Sequence, residues 1–456
     1  MAQTIVALAT PLGRSGVAVI RLSGDSAPTI AASLARTEHD RFVPRQATLR
    51  KLIDPATSEV LDEAVITYFR GPNSFTGEDI VEISCHGSPI VLRQAIDACL
   101  AEGARMAGPG EFSLRALANG RMNLAEAEAI RDLIDAQSVG AARQAVRQME
   151  GEFSHELQPL KSDLLDVIVV LESALEFVED DLPETQRSSI VEKLKEVQSA
   201  ITAKAETYKA GRLLRDGLRV ALVGRPNVGK SSLFNALLGS DRAIVTDIAG
   251  TTRDQLHERF TIDGIPISLI DTAGLRETSD QIESIGVERS RRALTDADLV
   301  LLLLDVTEPL SDEDRQIIAA TENLRRLFVL NKIDKADGTA IMRMRSEMEE
   351  LGVGVKEISA KTGEGMIPLQ QAMLEPFQDG EITDSGFIVT DARHHDLLQR
   401  SADEIAGSID LLAGGKSEEI VLVGLHNALR YLGEITGETT TEDMLSQIFE
   451  TFCIGK

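Results

Sequence analysis

A glycine-rich loop, GRPNVGKS at residues 224–231, sets the tightest limit on how this chain can fold. It follows the aliphatic run RVALV and precedes the helix-like run SLFNALLG, so it joins a buried strand to a helix. Later aliphatic runs also end in turns before helix-like stretches, namely ISLIDTAG, ADLVLLLLDV and RLFVLNKID. Buried strands that alternate with helices are typical of a mostly parallel, doubly wound sheet. We therefore predict an α/β domain of the P-loop type at residues 216–379.

The sequence on either side of this domain has a different character. Residues 1–118 mix short β-like runs with turn signals and a helix-like segment, which predicts an α+β domain. Residues 119–215 and 380–456 carry apolar residues at three- and four-residue spacing, which predicts long helices. We predict one helical bundle, discontinuous in sequence, into which the P-loop domain is inserted. Such insertions are tolerated when the ends of the inserted domain are neighbours.

Charge and composition restrict the class of protein. The formal net charge of −26 weighs against indiscriminate nucleic-acid binding, because a polyanion repels an acidic surface. Three cysteines, Cys85, Cys99 and Cys453, are too few and too scattered for a disulfide framework or a zinc site, so we expect a reducing cytoplasm. The N-terminus lacks the pattern of a signal peptide, and the strongly apolar run 299–304 is too short to cross a bilayer. No membrane association is expected.

The glycine-rich loop has the chemistry of a phosphate site. Gly224 and Gly229 let backbone N–H groups curl around phosphate oxygens, and the N-terminus of the following helix adds positive potential. Lys230 is predicted to reach the β- and γ-phosphates of a nucleotide, and the Ser231 hydroxyl is a predicted Mg²⁺ ligand.

The motif DTAG and the loop before it are predicted to complete this site. Asp271 ends the run ISLI and can support Mg²⁺ through water, and the Gly274 N–H can sense the γ-phosphate. Thr251 and Thr252 lie in TDIAGTTRD, and one of their hydroxyls can complete the Mg²⁺ shell.

Two further motifs, NKID at residues 331–334 and SAK at residues 359–361, select the base. The Asp334 carboxylate can accept from guanine N1–H and the exocyclic amine, while the Ala360 N–H can donate to O6. Adenine offers the opposite pattern and would leave these groups unpaired, which is costly in a buried site. The sequence therefore predicts GTP rather than ATP.

Ras-like GTPases place a glutamine directly after DTAG to orient the attacking water, and this chain has Leu275 there. Another polar group must then position the water, another charge must stabilise the transition state, or hydrolysis will be slow. Glu277, Asp280 and Glu283 are the nearby acidic candidates. Their spacing alone favours the other interpretation, carboxylates that stabilise a helix N-terminus.

Motifs along the whole chain resemble those of the MnmE (TrmE) family of tRNA-modification GTPases. They are GPNSFTGED, PGEFSLRA, LAEAEAIRDLIDA, the P-loop, TTRD, DTAGLRE, NKID, SAK and the terminal FCIGK. The resemblance implies an N-terminal α+β domain that dimerises and binds folate, a helical domain, and an inserted GTPase domain. It also implies a homodimer that joins the FAD-dependent enzyme MnmG in a heterotetramer and acts on tRNA. The implied product is an aminomethyl or carboxymethylaminomethyl group at C5 of the wobble uridine.

The resemblance also implies cofactors and site residues. The one-carbon source would be 5,10-methylenetetrahydrofolate, with 5-formyltetrahydrofolate as the other candidate ligand. Positive charge for GTP hydrolysis would come from K⁺ after the GTPase domains dimerise, and Glu283 would orient the water. Implied K⁺ ligands are Asn227, Thr246, Ile248 and Thr251; implied Mg²⁺ ligands are Ser231 and Thr252; implied folate contacts are Arg21, Glu82, Arg121 and Lys456.

The nucleotide contacts expected from the motifs and the resemblance together form four groups. They are Asn227, Val228, Gly229, Lys230, Ser231 and Ser232; Thr246, Asp247, Ile248, Ala249, Gly250, Thr251 and Thr252; Asp271, Thr272, Ala273 and Gly274; and Asn331, Lys332, Ile333, Asp334, Ser359, Ala360 and Lys361.

The C-terminal FCIGK places Cys453 where a prenylated cysteine would stand. Gly455 and the charged Lys456 do not fit a prenylation box, so a lipid anchor is disfavoured. Two roles for Cys453 are compatible with the resemblance to this family. It is a nucleophile or general acid/base on the uridine or the one-carbon adduct, or the tail only docks at the folate or partner site. We favour a catalytic role, with the tail as a flexible end that reaches its substrate.

A different class of function is compatible with the GTPase motifs alone. A GTPase switch in ribosome or RNA assembly would carry the same motifs without any modification chemistry. Such proteins usually append a basic RNA-binding module, whereas this chain is acidic.

Overall fold

The computed structural model describes residues 3–176, 183–240, 257–271, 297–352, 354–375, 387–439 and 442–455. The strands within these ranges are β1 (Ile5–Leu8), β2 (Ser15–Ser23), β3 (Thr48–Ile53), β4 (Val60–Phe69), β5 (Ile80–Gly87), β6 (Arg105–Met106), β7 (Leu218–Val223), β8 (His257–Ile262), β9 (Ile265–Asp271), β10 (Leu299–Asp305), β11 (Arg326–Asn331) and β12 (Val355–Ile358).

The α-helices lie mainly between and after these strands. They are α1 (Ala27–Leu34), α2 (Pro89–Ala101), α3 (Glu111–Ala118), α4 (Leu124–Asp135), α5 (Val139–Met149), α6 (Glu152–Glu176), α7 (Glu184–Glu206), α8 (Tyr208–Asp216), α9 (Lys230–Ser240), α10 (Asp312–Ala320), α11 (Gly338–Glu349), α12 (Met366–Leu374), α13 (Ala392–Ala413), α14 (Glu418–Thr436) and α15 (Glu442–Glu450). Among the described helices, none combines the length and apolarity needed to cross a membrane.

The chain divides into two compact units. One comprises Met1–Asp135, Ala145–Gln198 and Arg400–Lys456, and the other comprises Ala136–Gln144 and Ser199–Gln399. The finer division at residues 118, 215 and 379 stays a prediction.

The first unit contains a six-stranded sheet in the order β3-β4-β5-β2-β1-β6. Its neighbours pair antiparallel except β1 and β6, which are parallel. Along β5 the inward positions Val81, Ile83 and Cys85 are buried, as the alternation of a half-buried strand requires. Together with α1 and α2, this sheet confirms the predicted α+β fold for the N-terminal region.

Long helices from both ends of the helical sequence pack together in the same unit. Helix α6 packs against α14, and Lys161 on α6 donates at 2.5 Å to Glu438 just beyond the end of α14. Leu164, Leu171 and Leu425 are fully buried on these helices. Helices remote in sequence therefore share one packed layer, which confirms that the bundle is discontinuous in sequence.

The second unit contains a sheet in the order β12-β11-β10-β7-β9-β8, in which only the edge strand β8 is antiparallel to its neighbour. Every residue of β10, LVLLLLD, is buried, as expected for a central strand covered on both faces. The predicted doubly wound parallel sheet is confirmed. Parallel strands β7, β10, β11 and β12 all end at the same edge of the sheet, where the predicted nucleotide motifs begin.

The chain enters and leaves this sheet side by side. The Val389 N–H donates at 3.0 Å to the Thr207 hydroxyl, and Arg215 donates at 2.6 Å to the Asp391 carboxylate. Burial raises the pKa of Asp391, but the charges of His394 and Arg215 outweigh it and hold that pKa below its usual value. Neighbouring ends are what an inserted domain requires.

Candidate functional site

The glycine-rich loop between β7 and α9 adopts backbone angles that few residues tolerate. Gly229 has φ +103°, Gly224 has φ +157°, and Asn227 takes a left-handed φ of +65°. A side chain at Gly229 would collide with the side-chain amide of Asn331. The loop is thus shaped to expose N–H groups at the start of α9, which is a ready anion site.

Two lysines hold the loop in this shape. The Lys230 ammonium donates to the carbonyls of Gly224 at 2.6 Å and Arg225 at 2.8 Å. Lys332 donates to the Asn227 carbonyl at 2.9 Å and to the Asp305 carboxylate at 2.5 Å.

Asp305 at the end of β10 was not predicted as a site residue. Burial raises the pKa of its carboxyl, but hydrogen bonds from Lys332 and Thr307 outweigh burial and lower the pKa. Its only sequence signal is an acidic residue directly after a fully apolar strand. The carboxylate orients Lys332, which in turn holds the Asn227 carbonyl of the phosphate loop.

Asn331 joins the phosphate loop to the predicted base-recognition loop. Its amide donates at 2.8 Å to the Val228 carbonyl, and its oxygen accepts at 3.0 Å from the Ala360 N–H. Asp334 accepts at 2.7 Å from the buried Ser359 hydroxyl. The predicted NKID and SAK residues are therefore brought together, and the Ala360 N–H is held by Asn331 in this structure.

Several predicted nucleotide and metal residues lie outside the described residues. These are Thr246, Asp247, Ile248, Ala249, Gly250, Thr251, Thr252, Thr272, Ala273, Gly274 and Glu283. Asp271 is the last residue of β9. Of the predicted Mg²⁺ and K⁺ ligands, Ser231 and Asn227 are described, and both side chains are exposed at the phosphate loop. A hydroxyl and an amide oxygen are hard donors that suit these cations.

A second candidate site lies in the N-terminal sheet. Arg21 on β2 and Glu82 on β5 are register partners, and the guanidinium contacts the carboxylate at 2.8 and 2.9 Å. The Arg21 Cζ lies 5.5 Å from the ring centroid of Phe75 and 5.7 Å from that of Phe112. The two predicted folate contacts are therefore brought together, and two aromatic rings lie against the guanidinium. Both side chains remain partly exposed, at 21% and 27%, so a ligand can reach them.

Arg121 belongs to the same region, whereas Lys456 lies outside the described residues. A side chain at Gly77 would contact the Arg121 stem at 3.3 Å, so that stem lies beside the loop that carries Phe75. Gly77 has φ +80°, which a residue without Cβ adopts at least cost.

A network of partly buried charges next to this site was not predicted. Arg115 is 9% exposed and donates to Glu78 at 2.9 and 3.1 Å and to Glu111 at 2.9 Å. Burial raises the pKa of Glu111, but hydrogen bonds from Arg105, the Gly108 N–H and Arg115 lower it to about 2. The available sequence signal was the charged residues inside the turn-rich motifs GPNSFTGED and PGEFSLRA.

The C-terminal tail is anchored to the N-terminal region within the first unit. Cys453 is exposed as predicted, whereas Phe452 before it and Gly455 after it are buried. Ile454 forms an antiparallel bridge with Pro109. The expectation of a flexible end is therefore wrong for these residues, because the main chain on both sides of the thiol is packed against the domain.

Two family models match the chain. One is described as GTP-binding protein TrmE N-terminus and matches residues 4–121, and the other as MnmE helical domain and matches residues 124–453. Among curated relatives, the tRNA modification GTPase MnmE of Koribacter versatilis is 43% identical over 99% of this chain and 99% of the relative. The tRNA modification GTPase MnmE of Aquifex aeolicus is 40% identical over 100% of both chains.

Proposed function

The chain belongs to the family of MnmE tRNA modification GTPases, enzymes that hydrolyse GTP in tRNA modification, and on this basis we propose a specific reaction for it. With the FAD-dependent partner MnmG, it forms aminomethyl or carboxymethylaminomethyl groups at C5 of the wobble uridine of certain tRNAs. The one-carbon unit comes from a tetrahydrofolate. The observation that carries this proposal is the Arg21–Glu82 pair, whose guanidinium lies against two aromatic rings, on the unit that also anchors the cysteine tail.

The chemistry of this pair suits a reduced folate. The Arg21 guanidinium presents fixed donors that match the carboxylates of a glutamate tail, and the Glu82 carboxylate can accept from the donor edge of a pterin. Phe75 is half-buried and offers an apolar face against which a flat ring can pack, whereas Phe112 is fully buried and supports the Arg21 guanidinium. Arg121 beside Gly77 adds a further cation, and Lys456 is a proposed contact of the same ligand. A bound tetrahydrofolate would supply the carbon that is transferred.

Cys453 is the proposed group of this chain that meets the uridine or the one-carbon adduct. Its thiol is exposed, whereas Phe452 and Gly455 on either side are buried. The main chain is therefore held in place while a substrate can still reach the thiol. As a nucleophile its thiolate would form a C–S bond to an electrophilic carbon of the reacting centre, with the displaced electron pair moving onto that centre, and the bond would break again when the product forms. As a general acid/base the thiol would instead exchange a proton with the reacting centre. The alternative is that the tail only docks. Cys453→Ser separates the two, since loss of modification with normal GTP turnover supports chemistry.

We also propose the cofactors of the GTPase site. Lys230 would bind the nucleotide phosphates, and Ser231 with Thr252 would hold Mg²⁺. Asn227, Thr246, Ile248 and Thr251 would hold K⁺, whose charge neutralises the transition state where other GTPases use an arginine. Glu283 would orient the water. The supporting observation is the exposed Asn227 side chain on a left-handed residue of the phosphate loop.

The proposed assembly is a homodimer that forms a heterotetramer with MnmG and binds tRNA in the cytoplasm, without a membrane. Its GTPase domains would associate during hydrolysis. Equilibrium ultracentrifugation with and without the flavoenzyme tests the stoichiometry, and a monomer at micromolar concentration would contradict the dimer.

The test of the reaction is reconstitution with the flavoenzyme, tRNA, methylenetetrahydrofolate and GTP, followed by nucleoside mass spectrometry. A new C5-substituted uridine that requires every component supports the proposal. Unmodified tRNA despite normal GTP turnover would favour the other candidate, a GTPase switch in ribosome or RNA assembly. Wobble uridine that stays fully modified in a strain without the protein would point the same way.

A further inference from the structure

The loop between β6 and α3, residues 108–110, is a seat for the C-terminal tail. Pro109 pairs with Ile454, and the Gly110 N–H donates a long hydrogen bond of 3.4 Å to the Cys453 carbonyl. Gly110 has φ +62°, and a side chain there would lie 2.9 Å from the Phe449 ring. The tail therefore packs directly against the loop backbone, at a point where a side chain would push it away.

Glu111, the first residue of α3, fixes the shape of this seat. Its carboxylate accepts at 2.9 Å from the Gly108 N–H, which closes the loop onto the helix. Arg105 binds the same carboxylate through both terminal nitrogens, one of them at 2.7 Å, and Arg115 binds it at 2.9 Å. A carboxylate held by two guanidinium groups and a backbone N–H has little freedom to turn.

The same network leads to the Arg21–Glu82 site. Arg115 also binds Glu78, and Glu78 accepts at 2.8 Å from the Ser23 hydroxyl, two residues beyond Arg21 on β2. Phe112, which directly follows Glu111, packs its ring under the Arg21 guanidinium. One turn of α3 thus contacts both the tail that carries Cys453 and the strand that carries Arg21.

The charges in this network suggest that it fixes geometry rather than adding stability alone. Ion pairs removed from water often contribute no more stability than well-packed apolar residues of similar size, because desolvation offsets their attraction. Fixed hydrogen-bond directions are what such a network supplies beyond packing. Fixed hydrogen-bond directions would keep loop 108–110 in the conformation that pairs with the tail.

We propose that Glu111 is a positioning residue that keeps loop 108–110 shaped as the seat of the tail and so fixes the position of the Cys453 thiol in the unit that carries the Arg21–Glu82 site. This inference rests on the proposed function only in what the thiol does there. The seating of the tail is a property of the chain itself and is measured without tRNA, flavoenzyme or nucleotide.

The test places a nitroxide spin label on Cys453 of the full chain, since Cys85 and Cys99 are buried. The wild-type label should give a predominantly slow-motion spectrum. In Glu111→Gln the ratio of mobile to immobile label should rise about tenfold, the shift expected for losing charge-assisted hydrogen bonds. Glu63→Gln, an exposed glutamate on β4 of the same domain, is the matched control and should leave the spectrum unchanged.

A second variant guards against failure of Glu111→Gln to fold. The Arg105 side chain is 41% exposed, and in Arg105→Gln the Glu111 carboxylate keeps Arg115 as a partner. This variant should keep the far-UV circular dichroism spectrum of the wild type and show an intermediate mobile fraction. Spectra of both variants that match the wild type would overturn the proposal.

The reconstituted reaction with unlabelled protein supplies the second readout. Glu111→Gln should lower kcat for modification while its affinity for 5-formyltetrahydrofolate stays within about twofold, because the Arg21–Glu82 pair is retained. If Glu111→Gln released the tail, as seen in the spin-label spectrum, but kept the wild-type kcat, the positioning role would be overturned. If the wild-type protein modifies no tRNA although its spin label is immobile, the proposed function is wrong. The anchoring of the tail by loop 108–110 would still be supported.

Discussion

The side-chain amide of Asn331 bonds to the Val228 carbonyl while its oxygen accepts from the Ala360 N–H, so a single residue connects the phosphate loop to the base-recognition loop. Asn331 is 2% exposed and ends β11, the strand next to the central β10. The sheet therefore fixes the backbone of Asn331. Its side-chain hydrogen bonds in turn hold the two loops in place. Phosphate and base recognition are expected to depend on it together.

Replacing Asn331 by alanine removes both bonds and leaves the buried Val228 carbonyl without its partner. We expect the free energy of unfolding of the second unit to fall by about 1–3 kcal/mol and nucleotide affinity to fall as well. Urea denaturation and titration with a fluorescent GDP measure the two effects. Asn323→Ala, at an exposed position in the same unit, is the control. If Asn331→Ala bound nucleotide as tightly as the wild type, Asn331 would not couple the two loops in nucleotide binding.

Asp334→Asn should move base preference from guanine towards xanthine. A carboxylate accepts from guanine N1–H and its amine, whereas an amide can donate to the oxygen that xanthine carries instead. The Ser359 hydroxyl, which donates to Asp334 at 2.7 Å, can donate to the amide oxygen equally well, so the loop should keep its shape. Competition between GTP and XTP measures the preference, and an unaltered guanine selectivity would remove Asp334 from the base site.

GTP turnover should be about tenfold or more faster in KCl than in NaCl, because a cation that fits the site stabilises transition-state charge. Asn227→Gly should abolish the difference. Glycine keeps the φ of +65° without strain, so this variant removes the proposed ligand and leaves the loop backbone intact. Phosphate release at equal ionic strength is the measurement. Equal rates in the two salts for the wild type would remove the K⁺ role.

Thiol titration at pH 8 should detect one fast-reacting cysteine per folded chain. Burial raises the pKa of Cys85 to about 11 and that of Cys99 to about 12, so both stay protonated and covered at pH 8. The exposed Cys453 should react, and Cys453→Ser should leave no fast thiol until denaturant is added. A second fast thiol in the folded protein would show that the N-terminal core opens readily.

The sequence predicted what depends on local pattern and missed what depends on tertiary approach. The strand–loop–helix at Lys230 and the NKID and SAK motifs have fixed local spacing, and each sits at the end of a parallel strand as predicted. Arg21 and Glu82 were expected as separate folate contacts, but their direct pairing follows from the register of β2 and β5. Local spacing does not determine that register.

The tail and its seat show the same limit. A cysteine near the end of the chain was predicted to be exposed, and it is. Its anchoring through Pro109 depends on a fold that brings residues far apart in sequence together. The Arg115–Glu78 bond likewise joins two motifs that were recognised separately. Such contacts become visible only once the sheet and α3 are assembled.

The most direct measurement of the central claim follows a labelled carbon. Methylenetetrahydrofolate carrying ¹³C in its one-carbon unit is supplied to the complete system, and the wobble nucleoside is analysed by mass spectrometry. We predict that the wild-type chain transfers the label and that Arg21→Ala transfers little or none at the same folate concentration, while its GTP turnover without tRNA matches the wild type. Label transfer by Arg21→Ala at the wild-type rate, or modified uridine without label, would contradict the account.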